Sequence, residues 1–222
     1  MILLAVDSSG REGSLALARA ADSALEIVEI VNLDGGNFSA QLVPQIAALL
    51  AHHGVARHDL GGFAVAVGPG SFTGLRVGIA AIKGLAEALE KPIAAVSRLE
   101  AIARASEKQG NVIAALDAGR RQAFVGDYEF SGASVFRAKE HLLSWEELAV
   151  AAAGRPVLTP DKNVAEVLRQ FGANVVEIQN PRADVIARLG WKKLLAGDVA
   201  DVAALEANYI RCTDAEILIY GK

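Results

Sequence analysis

Gly68-Pro69-Gly70-Ser71-Phe72-Thr73-Gly74-Leu75-Arg76 joins two segments of different periodicity. Before it, Phe63 to Val67 is an unbroken apolar run of buried-strand type. After it, apolar residues recur at Leu75, Ile79, Ile82, Ala86 and Leu89, the spacing of one helical face. This predicts a helix over Thr73–Glu90, with Pro92 just past its end. The glycines permit a sharp turn from strand to helix, and Ser71 and Thr73 are candidate caps. Gly68, Pro69, Gly70, Ser71, Phe72, Thr73 and Gly74 are therefore expected to be a structural loop first. Free N–H groups at the helix start also suit an anion. The loop is no Walker A sequence, because no Gly-Lys-Ser/Thr follows. Nor is it Gly-x-Gly-x-x-Gly, because Gly68, Gly70 and Gly74 are offset by one.

Working outward, Ile2 to Val6 reads as a buried strand, and Ser14 to Ala18 and Leu25 to Val31 complete a three-strand meander. A helix runs from a candidate N-cap, Ser39, to His53, where Gly54 ends it. Past the long helix, Ile93 to Val96 is a strand and Leu99 to Glu107 a helix. Around Gly110 the pattern restarts. Val112–Leu116, Gln122–Tyr128 and Val135–Lys139 are strand-like, and Ser144–Ala153 is a helix opened by the capping-box spacing of Ser144 and Glu147. Short strands at Val157–Leu158 and Val175–Ile178 flank a helix near Val164–Phe171, and Ala183–Leu195 is the last helix. The class is α/β, with mixed sheets flanked by helices and a duplicated plan. Residues 1–109 are expected to form the first lobe and residues 110–222 a second, smaller lobe with the C-terminal tail.

The bulk numbers narrow the function. With 222 residues, a net charge of −4 and a pI of about 5.6, the chain lacks the basic surplus of a protein that grips nucleic acid unaided. Any contact with RNA should run through a partner. The single cysteine, Cys212, excludes an internal disulfide and a cysteine-built zinc site. The apolar start ends at Asp7, too early for a signal segment, and no apolar run is long enough to span a bilayer. A cytoplasmic protein with no membrane partner is the expectation.

Asp7-Ser8-Ser9 ends the first strand. An aspartate there, followed by a turn rich in hydroxyl and N–H donors, suits phosphate and Mg²⁺, although plain turn chemistry uses the same residues. Asp7, Ser8, Ser9, Gly70, Ser71 and Thr73 form a weak candidate set for a nucleotide or anion. His52 and His53 are neighbours, so on a helix they should point about 100° apart rather than chelate as an i, i+4 pair would. His58 and His141 are isolated. With no Gly-x-Ser-x-Gly, His-Glu-x-x-His or Cys/His nucleophile pattern, neither a catalytic residue nor a metal ligand is assigned.

The helix faces are more informative. Opposite the apolar stripe of the long helix stand Val77, Ala80, Ala81, Gly84 and Ala88, where charge is expected; Arg76, Lys83, Glu87 and Glu90 crowd into one band. The earlier helix has a second small-residue face as well, at Ala40, Pro44, Ala47 and Ala51, and Ser39–Ala51 has no formal charge. These nine residues are the expected partner interface, since small residues let helices approach closely. The alternative is that the two faces pack on each other.

The string Gly68 to Gly78 resembles the signature of the TsaB (YeaZ) family, which acts in building threonylcarbamoyladenosine in tRNA. The resemblance extends to Leu4–Ser9, to Ser39–Leu50 with its Leu42-Val43-Pro44 element, to Ile113–Gly119, and to Asn208–Arg211 with Asp214–Glu216. It implies two actin-like lobes of the Hsp70 and sugar-kinase (ASKHA) class. It implies a scaffold or activator without chemistry of its own, paired with a catalytic TsaD-like paralogue and a TsaE-like ATPase. By the same resemblance the chain is a homodimer when alone and meets tRNA only through the complex. It holds no cofactor in isolation, ATP or ADP being expected at the partner interface. Three departures stand out: Asp7-Ser8 for Asp-Thr, Asn208 where proline is common, and Phe38 where members often carry histidine. The last argues against a TsaD-like metal site. The rival readings are an ATP-dependent sugar-kinase-type phosphotransferase using Asp7 and Asp117, and a metalloprotease-like protein.

Overall fold

The computed structural model of the chain describes residues 1–21, 24–105, 110–131 and 134–210. Cys212 and the resemblance at Arg211 and Asp214–Glu216 lie outside them. The chain folds into two compact units. In the first, β1 (Ile2–Asp7), β2 (Gly13–Ala21), β3 (Ala24–Leu33), β4 (Leu60–Gly68) and β5 (Ile93–Ser97) form one sheet in the order β3-β2-β1-β4-β5. The meander β1–β3 is antiparallel, whereas β4 and β5 join it in parallel. The crossovers that parallel pairing requires are α1 (Phe38–His52) and α2 (Phe72–Leu89).

Both helices lie on one face of this sheet. Leu42, Ile46 and Leu49 of α1 and Leu75, Ile79, Ile82 and Ala86 of α2 close over Leu4, Val6, Leu15, Leu17, Phe63 and Val65. The opposite face is mostly an alanine floor of Ala5, Ala16, Ala18, Ala64, Ala66 and Ala94, with Leu3 and Val96 among them, and Ile186, Ala187, Leu189 and Trp191 of α6 (Ala183–Leu195) cover it. So flat a floor lets α6 sit close: a Cβ on Gly190 would lie 2.3 Å from the Ala64 Cβ. The N-terminus of α6 has no side-chain cap of its own, and the buried Ser14 hydroxyl of β2 accepts from the Ala183 N–H at 2.8 Å.

The second unit repeats the plan. After α3 (Arg98–Arg104), β6 (Gly110–Gly119), β7 (Gln122–Ser131) and β8 (Ser134–Ser144) form the antiparallel meander, while β9 (Val157–Thr159) and β10 (Val175–Glu177) add in parallel, in the order β10-β9-β6-β7-β8. α4 (Trp145–Ala151) and α5 (Lys162–Gln170) pack Leu148, Val164 and Leu168 on Ile113, Val125 and Val157. The Ser144–Glu147 capping box forms as its spacing predicts, with the Ser144 Oγ accepting from the Glu147 N–H at 3.2 Å and the Glu147 carboxylate accepting from the Ser144 N–H at 2.8 Å.

Two expectations need correction. The second unit is not residues 110–222 as one block. Among the described residues it comprises those of 102–180 and 208–210, and Pro181–Ala207 returns to the first unit. The cause is the alanine floor, which has no cover until α6 arrives. The returning segment is then pinned where the Lys83 ammonium donates to the carbonyls of Ala203 and Leu205 at 3.0 and 3.1 Å. The N-cap of α1 is Asn37 rather than Ser39, because buried Phe38 already belongs to the helix.

Gly190→Val places its branched side chain against Ala64 and is expected to lower stability by about 1–3 kcal/mol, the usual range for overpacking. Urea denaturation of wild type and variant measures it as a lower midpoint at unchanged slope.

Candidate functional site

The start of α2 and the end of β1 meet with almost nothing between them. A Cβ on Gly70 would lie 2.3 Å from the Ser9 carbonyl oxygen, one on Gly74 2.0 Å from that of Ser8, and one on Gly78 2.2 Å from the Ser8 Oγ. Gly74 and Gly78, four residues apart on α2, with Gly70 in the loop before it, thus leave room for Ser8 and Ser9. The need at Gly70 is closeness; the positive φ in this loop belongs to Gly68, at 109°.

Hydrogen bonds close the contact. The Ser71 N–H donates to the Ser9 carbonyl at 2.7 Å, and the Ser8 hydroxyl donates to the Gly74 carbonyl at 2.8 Å. Ser71 caps α2, its Oγ accepting from the Gly74 N–H at 3.2 Å. The Ser9 N–H donates to Asp7 Oδ1 at 2.9 Å, and the Ser9 hydroxyl donates to the same oxygen. Asp7, Ser8 and Ser9 are all buried. Of the six residues expected to hold a nucleotide or anion, Asp7, Ser8, Ser9, Gly70 and Ser71 therefore come together, but their polar groups bind one another. Thr73 stands outside the network, exposed on α2. In this arrangement the bonds hold the start of α2 on the end of β1.

In the second unit Asp117 occupies the corresponding place at the end of β6. Its Oδ1 accepts from the Gly119 N–H at 2.7 Å and its Oδ2 from the Asn163 amide at 3.0 Å. Arg120 and Arg121 form the following turn with φ of 53° and 60°. This is the left-handed pair that a two-residue hairpin requires, held by residues that rarely adopt it.

The outer faces of α1 and α2 are arranged largely as the wheel predicts. Ala40, Pro44, Ala47, Ala51, Ala80, Gly84 and Ala88 are exposed, and a Cβ on Gly84 would meet nothing within 4 Å. Val77 and Ala81 are half-buried and lean on the first core. The exposed face continues to Phe72 and Arg76, whose guanidinium stacks 3.6 Å from the Phe72 ring centroid. Sequence reading passed over this pair; their i, i+4 spacing in line with Ala80 was the available signal.

Two further features concern metals. Phe38 lies in the core with its ring against Gly13, so its place offers no ligand of the TsaD type. His52 and His53 do not diverge: both imidazoles reach one carboxylate oxygen of Glu29, at 3.0 and 2.6 Å. Helical rotation does not apply past His52, the last helical residue, because His53 is the C-cap with φ −96° and ψ 6°. Hydrogen bonds from His53, then from His52, hold the Glu29 carboxyl below its usual range.

Comparisons with known proteins agree with one another. Residues 33–213 match the family described as TsaD, tRNA N6-adenosine threonylcarbamoyltransferase. The chain is 32% identical to the tRNA threonylcarbamoyladenosine biosynthesis protein TsaB of Bacillus subtilis, over 97% of this chain and 96% of that one. A solved structure, YeaZ from Pseudomonas aeruginosa, superposes with a TM-score of 0.77 at 28% identity, covering 94% of this chain and 99% of that chain.

Two glycine replacements in one region should act in opposite directions. Gly70→Ala is expected to lose about 1–3 kcal/mol, since the Ser9 backbone cannot move aside. Gly84→Ala, in open space within a helix, is expected to gain up to about 1 kcal/mol. Thermal and urea unfolding of both variants test this.

Proposed function

The chain belongs to the TsaB family of tRNA threonylcarbamoyladenosine biosynthesis proteins, and from this we propose that it is a non-catalytic scaffold and activator. Its partner is a TsaD-like catalytic subunit that transfers the threonylcarbamoyl group to the tRNA adenosine next to the anticodon, with a TsaE-like ATPase joining the assembly. The observation that carries the proposal is the self-satisfied turn at Asp7-Ser8-Ser9. The groups an actin-like enzyme would offer to phosphate and Mg²⁺ instead hold the start of α2 in place. The same observation speaks against the phosphotransferase reading, and core-bound Phe38 against the metalloprotease reading.

The partner surface is the outer face of α1 and α2. Lined with small residues, and free of charge along Ser39–Ala51 of α1, it suits close packing against a helical face of similar kind. In the isolated chain a second copy occupies it around a two-fold axis, and the TsaD-like subunit displaces that copy. Phe72 and Arg76 at its edge give the contact an aromatic and a cationic anchor, the residue types that dominate interface energetics. With a net charge of −4, tRNA is held through the complex, and any ATP or ADP sits at the junction with the partner. No described helix is long and apolar enough to cross a membrane, in keeping with a role in the cytoplasm.

Ala80→Glu and Gly84→Glu place a carboxylate within the packed contact, where an unpaired desolvated charge typically costs about 3–5 kcal/mol. Size-exclusion chromatography and titration against the cognate TsaD-like subunit should show homodimer and heterodimer lost together, with unchanged circular dichroism. Reconstituted tRNA modification should fall in parallel. Variants that bind and modify like wild type would refute this surface.

A further inference from the structure

The cluster of Glu29, His52 and His53 plays no part in the function argued above, and its geometry has causes of its own. In the β3 ladder Glu29 pairs with Leu17 and Ile27 with Ala18, leaving Val28 as an extra residue. Such a bulge places two successive side chains on the same side of a sheet. The packing agrees, since Ile27 and Ile30 lie against the alanine-floor core while Val28 lies against the α1–α2 core. Without the bulge, strict alternation from Leu25 and Ile27 would put Glu29 on the floor side. With it, the carboxylate rises beside the C-terminal end of α1. There the helix stops, and the cap conformation of His53 turns its ring back towards that of His52, with centroids 4.8 Å apart.

We propose that Glu29, His52 and His53 form a binding site for a late first-row divalent cation, with Zn²⁺ as its natural occupant. His52 Nδ1, His53 Nε2 and the Glu29 carboxylate oxygen all lie within 4.8 Å of one another. Zinc bonds of about 2.0–2.1 Å require tetrahedral ligand atoms about 3.3 Å apart, so small side-chain rotations suffice. His52 is free to make them, its side chain being 71% exposed, while His53 and Glu29 at 26% and 33% supply the firmer wall. Two imidazoles and a carboxylate with one open side are the donor set of a three-ligand zinc site that keeps a water as its fourth ligand. Hard cations such as Mg²⁺ and Ca²⁺ prefer all-oxygen sets and are not favoured here. To hold the ion, His52 Nδ1 and His53 Nε2 must be free of protons, which places the ring proton on Nε2 of His52 and on Nδ1 of His53. The carboxylate already carries no proton. Bound metal ties the end of α1 to β3.

The test uses the full-length chain, free of any purification tag and stripped with a chelator, titrated with Zn²⁺ by calorimetry and with Co²⁺ by visible absorption. One Zn²⁺ per chain is expected, with a Co²⁺ spectrum of four- or five-coordinate type and a melting temperature that rises with Zn²⁺. His52→Ala, whose exposed position makes misfolding no concern, and His53→Ala should each weaken Zn²⁺ by at least about tenfold, a loss that even outer-shell changes can cause. The metal-induced rise in melting temperature should vanish with them. Absence of stoichiometric Zn²⁺ binding overturns the proposal. So does binding that survives unchanged in His52→Ala and His53→Ala, which would place the ion elsewhere on the surface.

Discussion

The approach of α2 to the end of β1, with no side chain of Gly74 or Gly78 between them, governs the first unit. A helix normally rests on a sheet through side chains, and its axis stands off by their length. Here Gly70, Gly74 and Gly78 remove that spacer, and the Ser8-Ser9 backbone enters the gap. Because the helix is lowered, its N-terminal turn can bond the strand end directly, through Ser71 to Ser9 and Ser8 to Gly74. The direction of α2 follows, and with it the plane of the face carrying Ala80, Gly84 and Ala88. A loop that resembles ligand-binding machinery in composition thus fixes the orientation of a surface.

The two units illustrate how one topology takes different uses at equivalent points. Both sheets share a strand order, and both first strands end in an aspartate whose Oδ1 accepts the N–H two residues on. In the first unit this turn is buried under α2. In the second, Asp117 is exposed and linked to Asn163. Equivalent aspartates therefore have unlike environments.

Much of this was legible in the sequence because period alone decides it. The apolar repeat from Leu75 to Leu89 located α2 to within a residue at each end, and the uncharged second faces of α1 and α2 are mostly exposed. What escaped was long-range. Nothing local to Ala183–Leu195 says that it returns to the first sheet; the signal was the alanine content of β1, β2, β4 and β5, meaningful only once those strands are side by side. Glu29 escaped for a different reason. A one-residue bulge moves it to the opposite face from the one alternation assigns, and a bulge at Val28 has no composition cue. At Gly68–Gly74 composition leaves two uses open, because close packing and phosphate binding both call for glycine.

The return of Pro181–Ala207 makes the first unit discontinuous in sequence, and this bears on synthesis. Emerging from the ribosome, β1 to β5 are complete long before α6 exists. At about 5–20 residues per second, the intervening segment takes roughly 4–16 s to appear. Throughout that interval one face of a finished sheet waits without its cover. The alanine floor suits the wait: methyl groups offer little area to an intruding chain, and apolar attraction scales with area. A floor of leucine or isoleucine would hold α6 through more contact, yet would leave a far stickier nascent chain. The composition that lets the last helix sit close also leaves less apolar area bare on the unfinished protein.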